Sequence, residues 1–257
     1  EDLASSVGHS LRAVRNAGSA VRERLSYEHW NLIERVDSEL VRAFASLSSP
    51  ADFSTLDALD LLKRLGRHMA AITGAQTDRM TRDDGWRLLS IGRHVERLGF
   101  LASSLSAGLE TGSVCNDAGF EAMVALFDST ISFHAQFQQS REILAMVDLL
   151  VLNRDNPRSL AWVAHTLRGR LAKLAGSEPN ELSPMSLQVP NPSAWDLATL
   201  CAADPLTGEP TQNASPASLP LLQELLDQCW QAAHDVSERI SATYFTHSGA
   251  AETSVVA

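Results

Sequence analysis

Cysteine is scarce in this chain: Cys115, Cys201 and Cys229 are the three in 257 residues. Their odd number, wide separation and lack of any CxxC spacing argue against a disulfide framework or a thiolate zinc site, and predict buried, reduced thiols. Long apolar runs are missing as well. None approaches the roughly 18–20 residues that span a bilayer, and the first residues lack the basic-then-apolar layout of a secretion signal. Basic runs are equally absent, and a net charge of −10 with a pI near 5.2 repels phosphate, which speaks against nucleic acid and anionic membranes as partners. A cytoplasmic location is the default expectation.

Signatures of catalysis are also wanting. The eight histidines are scattered, with no HExxH order and no Glu-x-x-His pair of the di-iron bundles, so no metal ligand set is predicted. There is no GxSxG elbow, no P-loop and no dinucleotide-binding glycine pattern after a strand.

What is present is helical periodicity. With 44% hydrophobic and 20% charged residues the chain suits one large globular unit, two subdomains remaining open. Breakers divide it into predicted helices near 3–24, 27–48, 54–74, 81–110, 117–151, 157–175, 193–203 and 216–245, and almost nothing reads as strand. The expected fold is all-α, a multi-helix antiparallel bundle with short connections. Eight of the ten prolines fall between Glu178 and Pro220, which predicts a loop-rich insertion over 178–220 before the last helix. The first residue is Glu1 and helical sequence begins at once, as expected of a piece of something longer.

The richest segment is Thr81 to Leu109. Leu88, Ile91, Val95, Leu98, Ala102, Leu105 and Leu109 form one apolar seam. Gly85, Gly92, Gly99, Ser103 and Ser106 form a second stripe nearly free of side chain, open to close approach by another backbone, and Glu96 lies on it. Trp86, Arg93, Arg97 and Phe100 share a third face, where guanidinium groups stack on rings or reach for an anion. Arg93 and Glu96, three apart, are also placed to pair across the turn as a plain structural bridge. In Asn153-Arg154-Asp155-Asn156-Pro157-Arg158-Ser159 the reading is a capping Asn, a first-turn Pro and then Arg158 and Ser159 at a helix start. That is either a simple cap or a receptor for phosphate or carboxylate. Phe120, Val124, Phe127, Ile131 and His134 read as one apolar seam with the histidine at its boundary, and Leu222, Leu225, Leu226 and Trp230 as a core stripe of the last helix.

Several blocks together resemble the bacterial alpha-E family, named for its helices and its Glu-Arg motif. Arg15 to Ser26 with Glu28 and Trp30 is similar to its Asn-Ala-Arg-Ser-Val-Arg-Glu block, with Gly18 where the family often has Arg. Asp84-Gly85-Trp86-Arg87 with Gly92-Arg93-His94-Val95-Glu96-Arg97 resembles its central motif. Asn156 to Ala161 is similar to its later cap motif, and Tyr244-Phe245-Thr246-His247 to its ending. The family's earlier helix with a Gly-Arg-Tyr-x-Glu-Arg motif has no counterpart before Asn16.

The resemblance implies company with circularly permuted ATP-grasp amide ligases, fused or separate, and with transglutaminase-like and proteasome-like peptidase proteins. ATP and Mg chemistry would then belong to the ligase, and this chain would bind neither. Its expected role is a non-catalytic, substrate-positioning domain. A peptide or amino-acid carboxylate would meet Arg93, Arg97 or Arg158, with Asn156, Ser159, Trp86 and His247 as further candidate contacts. Two rivals stand beside it: an amide-transferring or amide-hydrolysing enzyme using Glu96 as general acid or base, tuned by the glycine face, and a purely structural interaction bundle.

Overall fold

The computed structural model describes residues 6–45, 53–138, 140–177, 181–202 and 219–245. Helix is the regular structure found there, with no strand among the described residues. The chain divides into two compact units, Glu1–Trp86 and Arg87–Ala257.

The first unit carries α1 (Val7–Ala20), α2 (Tyr27–Ala45) and α3 (Thr55–Asp78). Their starts follow from capping chemistry: Ser6 accepts from the amide of His9, and Ser26 from that of His29. Ser54 and Asp57 form a reciprocal capping box. The buried stripe is Leu11, Ile33, Val36, Leu40, Leu61, Leu65 and Ile72. Gly18 is buried in α1, where an added Cβ would come within 3.1 Å of Ile33 and 3.4 Å of Trp30, so a small residue suits the place where the family often has Arg. On the polar side Glu39 accepts from Arg64 Nε and meets His68 Nε2, each at 2.7 Å. Burial raises the Glu39 carboxyl, but these two partners outweigh it and hold the group below the usual carboxylate range.

α4 (Asp84–Glu110) contributes Arg87 onward to the second unit. α5 (Asp117–Leu126), α6 (Thr130–Phe137), α7 (Ile143–Val147), α8 (Leu160–Leu174), α9 (Leu197–Leu200) and α10 (Pro220–Tyr244) follow. α4 ends where Gly112 takes the left-handed conformation, φ 66°, the usual helix-stopping use of glycine. At Gly119 a Cβ would lie 2.0 Å from the Ser113 carbonyl oxygen, so this turn admits no side chain.

The single helix expected over 117–151 is broken instead. Asp128 (φ 50°) and Gln138 (φ 55°) interrupt it without any Gly or Pro. Each break resets the helical phase, which corrects the predicted seam: Phe120, Val124 and Phe127 are buried, but Ile131 is 86% exposed and Phe133 takes the inward position. His134, expected at the boundary, is exposed and donates from Nδ1 to the Gln138 carbonyl. α7 continues into a π-helical turn, Asp148–Leu152, which puts Leu149, Leu150 and Val151 in succession into the core.

The core of this unit joins Leu98, Ala102, Leu105 and Leu109 of α4 to Val163, Leu167 and Leu171 of α8 and to Leu222, Leu226, Cys229 and Val236 of α10. Trp230 is not part of it. The inward seam of α10 passes through Cys229, and Trp230, one residue on, is rotated outward and half exposed. In the proline-rich region the described segment is pinned to the body. Arg168, buried in α8, donates to the Val189 carbonyl, and Arg154 donates to that of Pro192 at 3.0 Å.

Candidate functional site

The second unit's surface along α4 is shaped by the small-residue stripe. At Gly99 an added Cβ would sit 3.4 Å from Ala233 Cβ of α10, so the two helices approach closely there. At Gly92 nothing lies within 4 Å. The result is two shallow hollows that share residues. One, of about 650 Å³, is lined by Leu89, Gly92, Arg93, Glu96, Arg97 and Phe100. The other, of about 380 Å³, runs between α4 and α10 and includes Glu96, Gly99, Phe100, Ser103 and Trp230. Glu96 and Phe100 line both, so the two hollows adjoin along α4.

Charge collects at its first end. Arg93 and Arg97, four apart and on one face, are half-buried, and both guanidinium groups are held below the usual arginine range. Loss of hydration is the larger cause. Repulsion from Arg158 follows for both, and Arg97 also feels Arg93. Arg158 arrives from the turn before α8, its Nη2 2.9 Å from the carboxylate of Asp128. The structure therefore brings together three of the predicted anion-binding residues from two separate segments.

His94 adds a buried element that the sequence reading passed over. Its ring stacks on Trp162 of α8, with centroids 5.8 Å apart and planes at 28°. Nδ1 lies 2.6 Å from the Ser90 carbonyl, which only accepts, so Nδ1 carries the proton and Nε2 is left as an acceptor. That Nε2 is buried with no hydrogen-bond partner among the described residues. Burial pushes the imidazole down to about 4, the Ser90 carbonyl opposes this, and Arg97, Arg93 and Arg170 push it further down. The ring is neutral at pH 7. Arg170 had left a readable trace: it extends the Val163 and Leu167 stripe of α8, an unusual place for a guanidinium.

The other predicted contacts lie elsewhere or are engaged within the fold. Trp86 belongs to the first unit, buried, with Nε1 donating to the Gln76 carbonyl at 2.9 Å and Arg82 over its ring. Ser159, rather than an Asn, is the N-cap of α8: its hydroxyl donates to the Asn153 carbonyl and accepts from the amide of Trp162. Helix α8 consequently begins at Leu160 and not at Pro157. Asn156 donates to Ser129 Oγ and the Leu149 carbonyl while its own oxygen accepts from the Arg158 amide, which sets the position of that residue's backbone. Glu96 stands exposed on the groove rim rather than enclosed by glycines. His247 lies outside the described residues.

No group of three or more His, Cys, Asp or Glu side chains able to hold a metal occurs among the described residues. The cysteines are free. Cys201 and Cys229 are buried, their thiols pushed up by desolvation to about 11 and about 12, whereas Cys115 is exposed, contrary to expectation. No helix among the described residues is long and apolar enough to cross a membrane.

Fold and groove together define an all-helical domain with a cationic surface site. The chain belongs to the Alpha-E family, described as a predicted alpha-helical domain with a conserved ER motif, whose model matches residues 1–245. It is similar to the uncharacterized protein Rv2567 of Mycobacterium tuberculosis (strain ATCC 25618 / H37Rv), 26% identical over 178 residues. The uncharacterized protein Mb2597 of Mycobacterium bovis (strain ATCC BAA-935 / AF2122/97) matches to the same degree. Each match covers 68% of this chain and 20% of the relative, so the matched region spans about a fifth of those proteins. No solved structure matches.

Proposed function

We propose that this domain is a non-catalytic helical accessory unit of an ATP-grasp amide-ligase system, acting in the cytoplasm, that holds a peptide or amino-acid substrate by its carboxylate. The observation that carries the reading is the nearness of Arg93 and Arg97 on α4 to Arg158 from another segment, where loss of hydration and then repulsion from Arg158 hold the Arg93 and Arg97 guanidinium groups below their usual range. Crowding like charges costs stability, and an oxyanion bound among them repays it by charge-assisted, bidentate hydrogen bonds. Exposed Glu96 at the rim suits a group that repels or orients the incoming carboxylate. ATP and Mg would be handled by the ligase, with transglutaminase-like and proteasome-like peptidase proteins as further partners of the system.

The test is copurification of the chain with its neighbouring or fused circularly permuted ATP-grasp protein. Association at micromolar concentration, weakened by Arg93→Ala or Arg97→Ala with helicity unchanged, supports the reading. Independent migration of the two proteins in size-exclusion chromatography at that concentration overturns it.

A further inference from the structure

The groove does not end at the arginines. Beyond Glu96 it continues between α4 and α10, floored by the Gly99–Ala233 contact and walled by two aromatic side chains, Phe100 at 52% exposure and Trp230 at 50%. The two rings line one hollow, and it is apolar groups gathered in one patch, rather than scattered singly, that mark an interaction surface. The Trp230 indole lies parallel to the ring of His234, one helical turn on, with ring centroids 6.2 Å apart and planes 7° from parallel. A cationic end and an aromatic end in one channel, lined on the way by Glu96, form a composite surface that a simple inorganic anion would use only in part.

Resting on the reading of the arginines as a carboxylate site, we propose that this groove binds the C-terminal segment of a peptide, with its free carboxylate at Arg93 and Arg97 and an aromatic or large aliphatic side chain between Phe100 and Trp230. Spacing sets the register. From the centre of the arginine pair to the middle of the α4 residues that line the aromatic hollow, Val95 to Ser103, is about four residues of helix, roughly 6 Å at 1.5 Å per residue. An extended peptide advances about 3.3 Å per residue, so the apolar side chain belongs to about the second residue from the C-terminus. Glu96, between the two ends, is placed to accept a peptide N–H and to turn away a carboxylate from the middle of the channel.

The probes are acetyl-Ala-Phe-Ala with a free carboxylate, the same peptide as its C-terminal amide, and acetyl-Ala-Ala-Ala with a free carboxylate, titrated calorimetrically into the 257-residue chain. Both the amide and the alanine peptide are expected to bind at least about tenfold more weakly than the first. Trp230→Ala should erase the preference for Phe over Ala and keep the preference for carboxylate over amide, while Arg97→Leu should do the reverse. Phe100→Ala is a second aromatic variant should Trp230→Ala lose helicity. Carboxylate preference without any Phe preference overturns the peptide groove and leaves the carboxylate reading standing. A Phe preference that Trp230→Ala and Phe100→Ala leave intact also overturns it, and failure of all three peptides to bind overturns both.

Discussion

Arginine is set differently at the polar face of the first unit and along α4 of the second. In the first, Arg64 lies between the carboxylates of Glu39 and Asp60, and Arg24 reaches Asp83. In the second, loss of hydration and repulsion from Arg158 act on both Arg93 and Arg97, Arg97 also feels Arg93, Arg158 itself meets Asp128, and His94 is driven neutral by burial with Arg97, Arg93 and Arg170 nearby. The contrast separates charge that serves folding from charge that serves something else. Cations set beside carboxylates hold helices in place at little cost, whereas cations brought near one another in a half-buried setting repel, and an added anion relieves that repulsion.

Acid should have the largest effect. The His94 imidazole binds its proton more weakly folded, at about 4, than unfolded, at 6.5, so between those values the unfolded chain takes up more protons and stability falls as pH drops. Full traverse of that window costs about 3 kcal/mol. His29 in the first unit, lowered by burial and then by Arg79, adds with the same sign. Glu39 behaves differently: its carboxyl is lowered, so its contribution survives above the ordinary carboxylate range and is lost only below about pH 4.5. Calorimetric melting from pH 7 to 4 checks the sign, and His94→Phe, which keeps a ring against Trp162, should flatten much of the slope. An unchanged slope in that variant would place the titration elsewhere.

Next in size is the response to removing a charge at pH 7. Arg97→Leu takes one member from the repelling cluster, so unfolding stability should hold or rise by up to about 1 kcal/mol, while affinity for a peptide carboxylate drops by about tenfold or more. Arg64→Ala in the first unit should instead lower stability by about 1 kcal/mol or less, since Arg64 is partly exposed. Denaturant titration of both variants reads the difference. A clear loss of stability in Arg97→Leu would make the cluster structural and join the two units in one explanation.

How far this contrast was readable from the residues depended on whether a helix ran unbroken. Across α4 the steps of three and four continue to Glu110, so Leu98, Ala102, Leu105 and Leu109 fall inward as the period requires, and Arg93 and Arg97 fall together by the same rule. Across 117–151 the rule failed because Asp128 and Gln138 turn the chain with positive φ and no Gly or Pro to announce it. Trp230 misled differently: a large apolar residue beside an apolar seam reads as core, yet one residue of helix rotates it by about 100°. Arg158 could be named from its cap motif, but its nearness to Arg97 is a tertiary fact that no local spacing contains. His94 and Arg170 were recoverable in principle, as polar groups flanking or lying on apolar stripes, the pattern that marks a buried polar site.

Salt gives the finest discrimination. Raising sodium chloride from about 0.05 to 0.5 M shortens the Debye length from about 14 to 4 Å. Screening weakens the Arg64 pairs, which lie at the surface, and weakens equally the repulsion between Arg93, Arg97 and Arg158. The two effects have opposite signs, each of a few tenths of a kcal/mol, so the wild type should change little. Single variants expose the terms. Compared with the wild type, added salt should shift Arg64→Ala toward higher stability, because two attractive contacts are gone from the sum, and Arg97→Leu toward lower stability, because part of the repulsion is gone. Melting curves at the two salt concentrations decide this, and equal slopes in both variants would mean that the arginines of the second unit do not face one another closely enough to form a receptor.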